Sequence, residues 1–318
     1  YTFTVVATNA AGDSSASTAS SPLTPYTVSG VPASVSGVAG NAQATVSWTA
    51  PVDDGGSAVT GYTATASPGG ATCTTPSTSC VVTGLTNGTV YTFTVIATNA
   101  AGDSNASSAS SSVTPYTVPG IPTSVSGVGS DTQVTVSWDA PSDNGGSAIT
   151  SYTATASPGG ATCTSSSTSC VVTGLLNGTD YTFTVVATNP AGGSSPSNAS
   201  SPITPLAVSG APTSVSGSAG NTQVTVSWSA PVDDGGSTVT SYTVTASPGG
   251  ATCTTASTSC VVTGLTNGTS YTFTAVAANT VGDSSASSAS SSVTPYTISN
   301  APTSVSGSAG NTQVTVSW

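Results

Sequence analysis

The chain has 318 residues, of which 11 are acidic and none is Lys, Arg or His, so its formal charge is −11; every acid is an Asp, and Glu and Met are also missing. Without cations it cannot grip phosphate, which excludes nucleic-acid binding and a polybasic contact with membranes; without His, Lys or Glu it cannot assemble a Ser-His-Asp triad, a Schiff-base lysine or a histidine metal cluster. Charged residues are only 3% and hydrophobic residues 36%, unlike a disordered chain, and the longest apolar runs are too short to insert directly into a membrane.

The chain opens at Tyr1, not Met, and Tyr1 already belongs to a repeat. Tyr1, Tyr91, Tyr181 and Tyr271 recur at a spacing of 90, as do Trp48, Trp138, Trp228 and Trp318. Cys73, Cys163 and Cys253 keep the same spacing, and so do Cys80, Cys170 and Cys260. The string TASPGGATCT begins unchanged at Thr65, Thr155 and Thr245. Such a strict period marks a tandem array, in which each unit contacts mainly its neighbours. Register divides it into residues 1–27, the last two strands of a partial unit; complete units 28–117, 118–207 and 208–297; and residues 298–318, the first two strands of another partial unit. The ragged ends read as a window on a longer array. Completion of the two part-units between neighbouring molecules is the alternative, but it leaves the middle strands missing.

Within a unit, short alternating runs lie between turn signals. In Gln133–Trp138, Val134, Val136 and Trp138 share one face, a period of two with one buried side. Asp53-Asp54-Gly55-Gly56 then forms a turn. Tyr62, Ala64 and Ala66 face inward along the next strand, and Pro68-Gly69-Gly70 turns the chain again. After Asn87-Gly88, the run Tyr91-Thr92-Phe93-Thr94-Val95 points Tyr91, Phe93 and Val95 inward. No helical period of useful length is present. Short strands at this spacing predict an all-β antiparallel sandwich.

A Trp closing the second strand, Pro and Gly-Gly in the next loop, and a Tyr opening the third strand resemble the fibronectin type III domain, most like those of bacterial secreted or surface proteins. Gly84-Leu85-Thr86-Asn87-Gly88-Thr89-Val90-Tyr91 is similar to its tyrosine-corner motif, with Asn87 where Pro is common. The resemblance implies tandem seven-stranded immunoglobulin-like sandwiches in a rod. It places Trp48, Trp138 and Trp228 in the core with Tyr91, Tyr181 and Tyr271, whose hydroxyls bond back to nearby backbone. The family's Arg-Gly-Asp integrin loop is impossible without Arg.

The cysteines form three pairs separated by seven residues. If Val82 faces the core, period two puts Cys80 on the same side, and a Cys73–Cys80 bridge pins the edge where the chain changes sheets; Cys163–Cys170 and Cys253–Cys260 follow. Closing so short a loop contributes about 2.5 kcal/mol in the chain-entropy description. Structural bridges imply an oxidising compartment, extracellular or at the cell surface. Inter-chain bridges remain the alternative, whereas two thiols are too few for zinc.

Asp53-Asp54, Asp143-Asn144 and Asp233-Asp234 read as polar turns, since a calcium loop would need more oxygen ligands. Asn87, Asn177, Asn267, Asn105 and Asn198 each open a glycosylation sequon, although turn chemistry accounts for the first three. Ser104–Thr114 reads as an outer face of small polar residues, with O-linked sugar as the alternative. Pro115–Pro122 joins two units with almost no slack, and Tyr116 and Val118 are placed to pack between them.

These features predict no enzyme, no cofactor and no metal. The expected role is a structural extracellular array, a stalk or filament whose partners are itself, end to end or side by side, or cell-surface components. The alternatives are an adhesion or carbohydrate-binding module using exposed tyrosines, and a linker array of a secreted polysaccharide-degrading enzyme.

Overall fold

The computed structural model describes all 318 residues and contains strands and turns but no helix. In the first complete repeat, Ala33–Gly40, Gln43–Thr49 and Ser79–Thr83 form one antiparallel sheet. The facing sheet has the order Thr72–Thr75, Gly61–Ser67, Thr92–Asn99, Gly102–Asp103. The second repeat has the same seven strands. In the third, the last pairing shrinks to a single bridge between Ala278 and Asp283. Residues 1–23 form a hairpin-like pair and residues 306–317 another, each exposed throughout.

Alternation builds the cores. Along Thr92–Asn99 every second residue is buried, and Phe93, Val95 and Ala97 are fully so. Each repeat closes its own core around Trp48, Trp138 or Trp228, with Tyr62, Tyr152 or Tyr242 tilted against the indole at 5.4–5.5 Å between ring centroids. Such tilted pairs add to the burial of the rings themselves.

One core position shows how tightly the volumes are matched. Ala64 lies directly opposite Val95 in the first repeat, and Ala154 opposite Val185 in the second. In the third the pair is reversed, Val244 facing Ala275. All six side chains are fully buried. The total volume is kept while the bulk moves from one strand to its neighbour, the kind of exchange a close-packed interior tolerates.

The last strand differs from the outer β face expected for Ser104–Thr114. Its residues meet the neighbouring strand every third position: the N–H groups of Ser104, Ser107, Ser110 and Val113 donate to the carbonyls of Ala97, Val95, Phe93 and Tyr91. Three residues thus cover the span of two, about 6.8 Å at ordinary strand rise. The three serines are buried. Each hydroxyl accepts from the facing N–H, that of Ala97, Val95 or Phe93, at 2.9–3.0 Å, and donates to the carbonyl of the following residue, Asn105, Ser108 or Ser111. A serine hydroxyl therefore replaces the backbone acceptor that a regular strand would offer. The same zipper recurs at Ser194, Ser197 and Ser200 and at Ser284, Ser287 and Ser290.

Candidate functional site

No three His, Cys, Asp or Glu side chains gather as a metal site would require. The sequence-predicted residues are instead spent on the fold. Cys73 and Cys80 are joined by a disulfide, as are Cys163 with Cys170 and Cys253 with Cys260. Each bridge ties a strand of one sheet to a strand of the other, with Cα atoms 6.0–6.3 Å apart, and its two half-buried cysteines pack against the core. At the turn before Tyr91, Leu85 is buried and the Tyr91 hydroxyl accepts from the Thr86 N–H at 3.0 Å; Tyr181 and Tyr271 do the same for Leu176 and Thr266.

Asn87 has both ends of its amide in use. Its Oδ1 accepts from the Ala42 N–H and its Nδ2 donates to Asn41 Oδ1, both at 2.9 Å. Asn177 and Asn267 bond equivalently to Thr132 with Asp131 and to Thr222 with Asn221. Asn105 and Asn198 are exposed, but Ser107 and Ser200 of their sequons belong to the buried zipper.

The aspartate turns close on themselves: Asp53 Oδ1 accepts from the Gly55 N–H and Asp54 Oδ1 from Gly56. They also form one half of the joint between repeats. At the first complete joint, the Tyr116 N–H donates back to Gly40 of its own repeat, and the next N–H, of Thr117, donates forward to Gly145. One peptide unit therefore separates the last bond of one repeat from the first bond of the next. Asn189, buried at the end of its strand, clamps this connection through Nδ2, which donates to the carbonyls of Thr117 at 2.7 Å and Asn144 at 2.9 Å. Asn99 and Asn279 hold Thr27 with Asp54, and Ala207 with Asp234, in the same way. Of the residues expected between repeats, Tyr116 is half-buried, while Val118 remains 40% exposed.

Shallow clefts of about 350, 270 and 280 Å³ recur between the first and last strands of the three repeats, lined by residues such as Pro32, Val35 and Ser108 in the first. They hold small neutral side chains and no nucleophile–base pair. The family model described as Fibronectin type III domain matches residues 30–114, 119–203 and 210–294. The chain belongs to the fibronectin type III family. Among curated bacterial proteins it is 37% identical over 227 residues to Exoglucanase B of Cellulomonas fimi, covering 65% of this chain and 20% of that protein. It is 38% identical over 156 residues to Chitinase A1 of Niallia circulans, covering 46% of this chain and 22% of that protein. The chain thus spans about a fifth of the length of these relatives. Among solved structures it is similar to the chicken CNTN1 FN1-FN3 domains, at 19% identity and a TM-score of 0.33, covering 84% of this chain and 99% of that one. Most of this chain is fibronectin type III repeat, a non-catalytic module.

Proposed function

We propose that this chain is a non-catalytic extracellular spacer array that holds other modules of a secreted polysaccharide-degrading protein at a set separation. The carrying observation is the handover at Tyr116 and Thr117, where backbone bonding passes from one repeat to the next with no slack residue. A connection without free residues transmits position, as a Gly/Ser linker does not. The names of the two curated relatives favour the linker role over a free-standing stalk or filament. Disulfides within each repeat suit an oxidising exterior, and the absence of Lys and Arg removes every cleavage site for trypsin-like proteases.

Small-angle scattering and co-sedimentation with cellulose and chitin test this together. The expected result is an elongated particle whose length grows with the number of repeats and which stays in the supernatant. A compact or freely jointed particle refutes the spacer, and stoichiometric retention on polysaccharide replaces it with a binding module.

A further inference from the structure

Each aspartate turn carries two glycines, and the second meets the preceding repeat backbone to backbone. A Cβ placed on Gly146 would lie 2.3 Å from the amide nitrogen of Gly88; one on Gly236 would lie 2.2 Å from that of Gly178. From the other side, a Cβ on Gly88 would sit 3.2 Å from the Cα of Gly146, and one on Gly178 would sit 3.0 Å from that of Gly236. Gly268 occupies the same turn in the third repeat with nearly the same φ, +82° against +80° and +77°, and a Cβ there would meet nothing within 4 Å. The turn itself therefore has room for a side chain; the neighbouring repeat takes it away.

We infer that the Asn-Gly turn of the first and of the second complete repeat is a docking surface whose partner is the Gly-Gly turn of the following repeat, and that this glycine-to-glycine contact sets the bending stiffness of the array. Two backbones without side chains come into direct contact at this point, beside a cleft of about 400 Å³ between the Asn177 and Asp233 turns, and the Asn189 clamp fixes the connection next to its own contact. Positive φ makes glycine the favoured residue at these turns in any protein, but positive φ alone does not bring two of them into contact. Gly160 and Gly250 also have positive φ, +67° each, and a Cβ on either would meet nothing.

The inference rests on the spacer reading, and the full chain separates the two. Gly146→Ala with Gly236→Ala forces a side chain into both joints; Gly160→Ala with Gly250→Ala imposes left-handed strain in the same repeats without touching a neighbour. A second pair, Gly178→Ala against Gly268→Ala, repeats the comparison on the opposite side of the joint, where the intrusion is milder. Small-angle scattering should show a reduced maximum dimension and blurred inter-repeat distances for Gly146→Ala/Gly236→Ala and for Gly178→Ala. The two controls should keep the wild-type profile, and circular dichroism should show folded repeats in all four. An unchanged profile in both joint variants overturns the inference, as does an equal change in the controls, which would assign the effect to strain. If the wild-type chain is itself compact or freely jointed, the spacer reading fails instead.

Discussion

Exchanging bulk across one cross-strand pair offers a quantitative test of how the repeats are packed. Val95→Ala in the first repeat leaves Ala64 facing a second alanine, deleting two buried methyl groups, worth about 1.6 kcal/mol in transfer alone; with the residual cavity the cost rises to about 2–3 kcal/mol. Ala64→Val alone places two valines where one fits, and overpacking costs about 1–3 kcal/mol. Independent effects would sum to about 3–6 kcal/mol in the double variant. The third repeat already holds the exchanged pair, Val244 facing Ala275, fully buried, so the double variant should lie within about 1 kcal/mol of wild type. Hydrogen exchange read by mass spectrometry on peptides covering Thr92–Asn99 reports the first repeat separately, because the three versions of this strand differ in sequence. Protection there should fall roughly 30- to 150-fold in Val95→Ala, at about 1.4 kcal/mol per factor of ten, and return in the double variant. A double variant as damaged as the sum of its parts would refute the claim that summed volume governs this position.

The Ser29 and Ser209 hydroxyls are buried without a partner, their N–H groups make no backbone bond, and the second repeat has Pro119 at the matching position. Ser29→Pro and Ser209→Pro should each stabilise their repeat by about 1–2 kcal/mol, by removing an orphaned hydroxyl and restricting the unfolded chain, seen as a melting shift of roughly 5–10 °C. Ser107→Ala leaves the buried Val95 N–H without its acceptor and should cost about 1–3 kcal/mol, measured by urea unfolding. Cys163→Ser with Cys170→Ser should lower the second repeat's stability by about 2–3 kcal/mol and make its melting insensitive to reductant. Burial pushes the Tyr152 phenol above the usual tyrosine range, so the folded state favours the protonated ring. Its contribution is complete below about pH 10, the ordinary phenol value, and is lost as pH rises through the raised value, so Tyr152→Phe should flatten the alkaline decline in melting temperature.

Much of the sandwich was legible because period two is a physical consequence of the pleat. The inward placement of Val134, Val136 and Trp138, and of Tyr91, Phe93 and Val95, needed only the spacing of apolar residues. The serine zipper was not legible in that way. Serine on a strand ordinarily signals a solvated face, and a period of three inside a polar run carries no hydrophobic contrast to reveal it. The Asn clamp did leave a sign: Asn99 falls on the same parity as Phe93, Val95 and Ala97, a polar side chain in buried phase, which signals that it has partners. The glycine contact was invisible for a different reason. Gly-Gly announces positive φ, which the turns do use, but closeness to a neighbouring repeat depends on how two folded units meet.

The zipper also answers a difficulty that the composition creates. A chain with 3% charged residues has little repulsion to keep sheet edges apart, and edge strands free of charge and proline invite pairing with other chains. In each repeat the exposed final edge lacks the two-residue rhythm that an incoming strand must match. Every third residue turns inward, and the hydroxyls of Ser104, Ser107 and Ser110 already occupy the carbonyls of Asn105, Ser108 and Ser111. An approaching strand therefore meets donors and acceptors out of register, with part of the acceptor set in use. Geometry supplies the protection that Lys would give at an ordinary edge, and a cation-free chain can remain a separate array.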